Sequence, residues 1–267
     1  MTGDADEPLE YYSPPSGLRA GGKHEGTSVQ PTVVIPTFWT RRRSRGLDRA
    51  NIRFDHPTPL GEDGTLPTCL KSLEGVEGLG RVVVIVAVTD AAIEHAAEDR
   101  VREIVADFPG IDTLIVGPAE IGSLHRRMEQ LEFADLIEGV SLAGYGGVRN
   151  VGLMVGSVLG SEVVVFVDDD QVITDGSFLA RSLEGMGQRD GQGRIVLAKS
   201  GYYTDDAGSY LLSGQTPWSD TFWRQRELYN KALTSAMKPP RIKPTPLAFG
   251  GCLALHRDMY CNVSFDP

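Results

Sequence analysis

Three consecutive aspartates, Asp168, Asp169 and Asp170, follow directly on the apolar run Val163-Val164-Val165-Phe166-Val167. Like charges this close repel one another, and the low dielectric at the end of a buried strand sharpens the repulsion. A divalent cation removes that penalty, and hard carboxylate oxygens suit Mg²⁺ or Mn²⁺. Along an extended chain alternate residues point the same way, so Asp168 and Asp170 are expected to face one ligand while Asp169 faces elsewhere. A cation held by only one or two carboxylates keeps coordination positions free for a diphosphate. The plainer alternative is a solvated acidic turn that merely ends the strand; the apolar strand before it and Arg149-Asn150 upstream weigh against that alternative.

The elements that must position these carboxylates are readable from apolar periodicity. Thr32–Pro36 is a short β-branched run ended by proline, suited to a buried first strand. Leu66, Leu70 and Leu73 recur at helical spacing, and Val82–Val88 predicts a parallel strand covered on both faces. Asp90 is placed to cap the next helix, whose apolar stripe is Ile93, Ala97, Val101, Ile104 and Val105. A strand over Thr113–Val116 and a helix over Ile121–Ile137 follow. Gly144, Gly146 and Gly147 mark a flexible turn before a helix from about Val148 to Leu159, then a strand over Glu162–Val167. The second half is less regular: a strand over Ile195–Ala198, an amphipathic helix over Trp218–Met237, a proline-rich connector Pro239–Pro246, and a strand over Phe249–Leu255. Residues 1–30 lack apolar periodicity and read as a mobile arm ahead of one domain spanning 31–267, and Arg41–Asp63 reads as a long loop.

Alternating strands and helices predict an α/β domain with a largely parallel sheet flanked by helices. Ligands of such sheets sit at the carboxyl ends of strands. Pro36-Thr37, Thr89-Asp90 and Asp168–Asp170 fall at three predicted strand ends, so three strands deliver polar groups to one edge.

Composition narrows the partner class. The 267 residues allow one substantial core, and 41% hydrophobic with 23% charged residues is ordinary globular composition. A net charge of −10 argues against nucleic acid or an anionic membrane as general partners. Cys69, Cys252 and Cys261 fit no metal-ligand spacing and are odd in number, which reads as free thiols in a reducing compartment. No apolar run approaches the roughly 20 residues that span a bilayer, and the acidic start lacks a signal core. Cytoplasmic residence is the expectation.

Gly147-Val148-Arg149-Asn150-Val151-Gly152, then a helix, then Val165-Phe166-Val167-Asp168-Asp169-Asp170 resembles the core signature of family 2 glycosyltransferases: an Arg-Asn-x-Gly helix start, a hydrophobic strand and an Asp-x-Asp motif. Val33-Val34-Ile35-Pro36-Thr37 resembles the family's first strand and Leu66–Leu73 its first helix. Phe249-Gly250-Gly251-Cys252 through Phe265-Asp266-Pro267 resembles its acceptor-side segment, so the likeness spans most of residues 32–267. It implies a GT-A fold and metal-dependent transfer of a hexosyl group from a nucleoside diphosphate sugar to a hydroxyl acceptor. Under it, Asp168 contacts the nucleotide, Asp170 ligates the Mn²⁺ or Mg²⁺ on the diphosphate, with Asp168 as its neighbour in the metal set, and Asp169 belongs to the donor site. Arg149, near a helix start, approaches the nucleotide or its phosphates, or else forms a surface salt bridge. Pro36, Thr37 and Asp90 flank the base and ribose, with capping an alternative for Asp90. Gly250 and Gly251 either let backbone approach the sugar or acceptor closely, or simply turn the chain.

Other polar and aromatic residues read as structural first. Trp218, Phe222 and Trp223 favour core packing over a sugar platform, and His256 favours a structural role over metal ligation. Two departures from the family stand out. The second strand ends Val88-Thr89-Asp90 where many members carry an Asp-Asp-Gly-Ser type of turn. The sequence also stops at Pro267, where inverting members continue into a segment carrying the catalytic base; Asp266 is the nearest candidate for that base. Two rivals remain: a truncated or degenerate module that binds nucleotide sugar without turnover, and a nucleotidyltransferase. Against the latter, Arg41-Arg42-Arg43 lies in no Gly-rich phosphate loop.

Overall fold

The computed structural model describes residues 31–41, 54, 56–205, 207–213, 224–245 and 247–266. The expected arm (1–30), most of Arg41–Asp63, and Trp218, Phe222, Trp223 and Pro267 lie outside the described residues.

Seven strands form one sheet: β1 (Thr32–Thr40), β2 (Thr58–Pro59), β3 (Val82–Val88), β4 (Thr113–Val116), β5 (Val163–Val167), β6 (Ala198–Ser200) and β7 (Cys252–His256). Their spatial order is β4-β3-β1-β5-β7-β6, with β2 added at the end of β1. Neighbours from β4 to β5 are parallel, whereas β7 runs antiparallel to β5 and β6 antiparallel to β7. This is the largely parallel α/β sheet that the alternation of elements predicted.

Helices cover both faces. On one, Val33, Ile35, Val82 and Val165 pack against Leu66, Leu70 and Leu73 of α1 (Leu66–Leu73) and Ala97, Val101 and Ile104 of α2 (Glu94–Ala106). On the other, Val34, Val83 and Phe166 meet Ile121 and Met128 of α3 (Pro118–Gln130) and Val148, Val151 and Leu153 of α4 (Tyr145–Val158). Burial on both faces explains why β3 and β5 read as unbroken apolar runs; each buried Val or Leu contributes about 1.5–3 kcal/mol.

Several elements differ from expectation; the strand expected over Phe249–Leu255, for one, runs over Cys252–His256. Helix α3 stops at Gln130, because Glu132 takes a left-handed φ of 65° and the chain resumes as a 3₁₀ turn, Ala134–Gly139. Helix α4 begins at Tyr145, so Gly146 and Gly147 are buried helical residues and only Gly144, at φ 76°, forms the left-handed turn before it. The strand expected over Ile195–Ala198 begins at Ala198, and Ile195 makes only a single bridge to Arg189. The helix expected over Trp218–Met237 is described over Gln225–Ala236, where Leu233 is buried but Leu228 is 57% exposed.

The first strand also continues four residues past Pro36. Proline is tolerated there because of which way its missing N–H would point. Val33 N–H bonds Arg81 and Trp39 C=O accepts from Thr89, so odd-numbered residues face β3 and even-numbered ones face β5. The β5 ladder ends at Val34, and β2 takes up that same edge only at Trp39–Thr40. Pro36 therefore lies in an interval where no strand needs its hydrogen.

Candidate functional site

The carboxyl end of β5 faces the carboxyl ends of β1 and β3 on one side and the start of β7 on the other, since Val167 pairs with Cys252. The three aspartates leave β5 at this point. Gln171 N–H bonds the Asp168 carbonyl (3.2 Å), closing a tight turn with Asp169 and Asp170 at its centre. Strict extended alternation therefore ends at Asp168, which corrects the simple in-and-out pattern expected for the run.

Asp168 and Asp169 are drawn to opposite sides. Thr37 Oγ1, fully buried at the end of β1, donates to Asp169 Oδ2 at 2.6 Å. Arg149 Nη2, from the first turns of α4, donates to Asp168 Oδ1 at 3.2 Å. Asp170 is exposed, and among the described residues no hydrogen bond or ion pair holds it. Cys69 Sγ of α1 lies 3.7 Å from the Asp168 carbonyl.

Electrostatics record the crowding. Burial pushes the Asp169 carboxyl up to about 7, with Thr37 pulling down and the Asp170 and Asp168 charges pushing further up. Asp168 is also raised, by burial first, against the opposing pull of Arg149. Burial, with the three aspartates adding to it, holds the Cys69 thiol near 12, so it is a neutral packing group.

Arg149 is restrained on every side. Its guanidinium stands 5.7 Å above the Tyr145 ring, and Tyr145 packs edge-on against Phe38 and Phe54. A Cβ at Gly250 would stand 2.5 Å from Arg149 Nη2. Its Nε is buried without a hydrogen-bond partner, a donor in reserve beside the carboxylates. Of the two alternatives offered from sequence, the salt bridge occurs, and it is made to Asp168 itself with Arg149 largely buried. At Gly251 a Cβ would run into the Asp168 carboxylate and come within 2.7 Å of Gln171 Nε2, so close approach, not merely a turn, requires glycine there.

The other expected residues are placed as follows. Asp90 caps the 3₁₀ turn Ala91–Ile93, accepting from Ala92 N–H (2.9 Å), and pairs in the open with Arg41 at 3.2 Å. Pro36 is buried in the β1 interval facing β5. Asp266 is exposed, next to Phe265, whose N–H donates to Asn150 Oδ1 at 2.7 Å while Asn150 Nδ2 donates back to its carbonyl at 3.0 Å. Asn150 is thus a fastener that ties the end segment to α4 beside Arg149. His256 lies at the opposite end of the sheet, across from Val163, and caps the short helix Arg257–Tyr260.

Two residues beside the aspartate turn carried no signal in the sequence. Tyr203 accepts from Gly251 N–H at 3.0 Å and also bonds the Gln171 side chain. Burial and the Asp168 charge push its phenol up to about 12. Neither residue belongs to a motif or an apolar period: Tyr203 meets a distant backbone N–H, and Gln171 meets Tyr203.

No family model matches the sequence, and no curated protein does. Solved structures do. A mannosyltransferase from Pyrobaculum calidifontis, solved with GDP-Man and Mn²⁺, is 16% identical over 86% of this chain and 45% of its own, at a TM-score of 0.45. Glucosyl-3-phosphoglycerate synthase from Mycobacterium tuberculosis, solved with UDP, is 14% identical over 88% of this chain and 63% of its own, at a TM-score of 0.39. The same synthase solved with Mn²⁺ and UDP-Glc gives 15% identity, 86% and 57% coverage, and a TM-score of 0.38. The chain therefore spans roughly half the length of the structures it is similar to.

The donor set was weighed for a divalent cation on its own chemistry. Among the described residues no group of three or more His, Cys, Asp or Glu is arranged to hold a metal. Exposed Asp170, without a partner among the described residues, and Asp168, paired with Arg149 through one oxygen, nevertheless leave carboxylate oxygens to offer a cation. Such a turn fits a cation held by one or two carboxylates and completed by the oxygens of its own ligand. Among the described residues, no helix is long and apolar enough to cross a membrane.

Proposed function

We propose that this domain binds a nucleoside diphosphate sugar across the end of β5 and transfers the sugar to a hydroxyl acceptor. The observation that carries this reading is the convergence at one turn. Asp169 meets Thr37, Asp168 meets Arg149, and Gly251 removes any side chain from the wall facing Asp168.

Each residue has a role in that reading. Asp90, exposed at the end of β3, would reach the base and ribose, while Thr37 and Pro36, buried in β1, would act from behind the site, Thr37 by fixing Asp169. Arg149 would turn donors toward the diphosphate, its buried Nε supplying one not yet in use. Asp170, with Asp168, would hold Mn²⁺ or Mg²⁺, which when bound neutralises charge on the departing diphosphate. Gly250 and Gly251 would admit the sugar. In an inverting reaction Asp266, exposed on the segment tied to Asn150, would take the acceptor proton.

The test is calorimetric titration of UDP and GDP into the purified protein with and without Mn²⁺, repeated on Asp170→Ala. Metal-dependent binding of one nucleotide, weakened at least about a hundredfold in the variant, is the expected result. Binding that ignores both the metal and the substitution would remove the reading.

A further inference from the structure

We propose that Tyr203 is a sugar-recognising residue, donating its hydroxyl hydrogen to the sugar of the donor; this rests on the nucleotide-sugar reading above. A phenol has one hydrogen to give and lone pairs to receive with. At Tyr203 the receiving side is taken: Gly251 N–H donates to the oxygen at 3.0 Å, and the Gln171 side chain bonds it as well. Among the described residues nothing accepts the hydroxyl hydrogen. A half-buried hydroxyl can give that hydrogen to water, and a ligand that supplies an acceptor exchanges it for the solvent bond.

The surroundings say which part of the ligand that is. Gly251 and Gln171, the two groups bonded to the phenol, flank the Asp168 carboxylate, since a Cβ at Gly251 would meet both. Thr37 meets the turn from the β1 side of β5, with Asp90 farther out at the end of β3, whereas Tyr203 and Gly251 approach from the β7 side. A ligand with its base toward Thr37 and Asp90, and its diphosphate at Asp168–Asp170, brings its sugar to the β7 side. The hydroxyl is held there firmly. Tyr203 packs edge-on against Phe249 at 5.5 Å, and Phe249 against Tyr229 at 5.8 Å. Gly201 N–H bonds the Cys252 carbonyl, and Phe249 N–H bonds Ser200 Oγ, so the segment is tied to the strand it reads across.

The experiment compares two affinities in one protein. UDP and UDP-glucose, and GDP and GDP-mannose, are titrated with Mn²⁺ into the unaltered chain and into Tyr203→Phe. The ratio of sugar-nucleotide to nucleotide affinity is expected to fall about tenfold for the pair that binds, as for one lost hydrogen bond. Loosening of the Gly251 turn would weaken both ligands alike and leave the ratio unchanged, and an unchanged ratio overturns the proposal. A second measurement needs no variant: among monodeoxy forms of the donor sugar, one is expected to bind the unaltered chain about tenfold more weakly. Equal binding by all of them is equally fatal. Failure of both nucleotides to bind the unaltered chain would count instead against the nucleotide-sugar reading, which keeps the two failures apart.

Discussion

On one flank of β5, Asp169 is held by Thr37, a fully buried residue on a strand paired along its length with β3. On the other, Asp168 faces Gly251 and Tyr203, which lie just outside β7 and β6 and are held to each other and to the sheet edge by a few local hydrogen bonds. The first flank gains its geometry from a shared apolar core, the second from local ties. Position on the parallel flank is therefore inseparable from the stability of the fold, whereas position on the antiparallel flank can change while the core stands. A domain built this way can keep one half of its ligand constant and vary the other.

That contrast can be broken most visibly with pH. Burial lifts Asp169 from an ordinary 3.8 to about 7, so the folded chain keeps a proton that the unfolded chain has given up. Stability of the metal-free protein should thus be highest near pH 4, fall as pH rises toward 7, and level off above it. The total loss is expected to be on the order of 2–4 kcal/mol. Asp169→Asn should flatten this slope in chemical denaturation, and a slope that survives the substitution would detach Asp169 from it.

A matched pair of glycine substitutions sharpens the comparison. At Gly152 a Cβ would stand 2.8 Å from Val34 Cγ1 and 2.9 Å from Phe166 Cε1, inside the rigid core. Gly152→Ala should cost about 1–3 kcal/mol of stability by overpacking. At Gly251 the same methyl meets the Asp168 carboxylate, the end of a short side chain that can swing. Gly251→Ala should leave the melting temperature nearly unchanged and weaken nucleotide binding about tenfold, because Asp168 must leave Arg149 to make room. If both variants lose stability equally, the two flanks are not built differently. The smallest effect is expected at Leu228, 57% exposed on the helix Gln225–Ala236, where Leu228→Ala should change stability by less than about 0.5 kcal/mol.

The same division explains what was readable beforehand. Val82–Val88 and the strand before Asp168 are apolar because both faces are covered, Thr113–Val116 at the sheet edge is partly covered, and the bounds of all three could be read to within a residue. Asp168, Asp169 and Thr37 were then legible as residues at strand ends. The glycines before Val148 misled, because a glycine chosen for close packing looks the same as one chosen for a turn: at Gly147 a Cβ would press on Ser141. Tyr203 and Gln171 were invisible because their partners are a backbone N–H and each other, and neither leaves a period or a spacing. Asn150 was seen as part of a motif, but its grip on Phe265, 115 positions away, belongs to no local pattern.

Pro36 gives the site a permanence that its charged residues do not. Two parallel strands leaving the same sheet tend to go on pairing until something stops them, and a proline whose nitrogen faces the neighbour is such a stop. With β1 released from β5 after Val34 and engaged by β2 only at Trp39, the sheet carries a slot that cannot zip shut. A ligand entering beside these unpaired positions would not have to break strand pairing first, so binding energy would be left for holding rather than for opening.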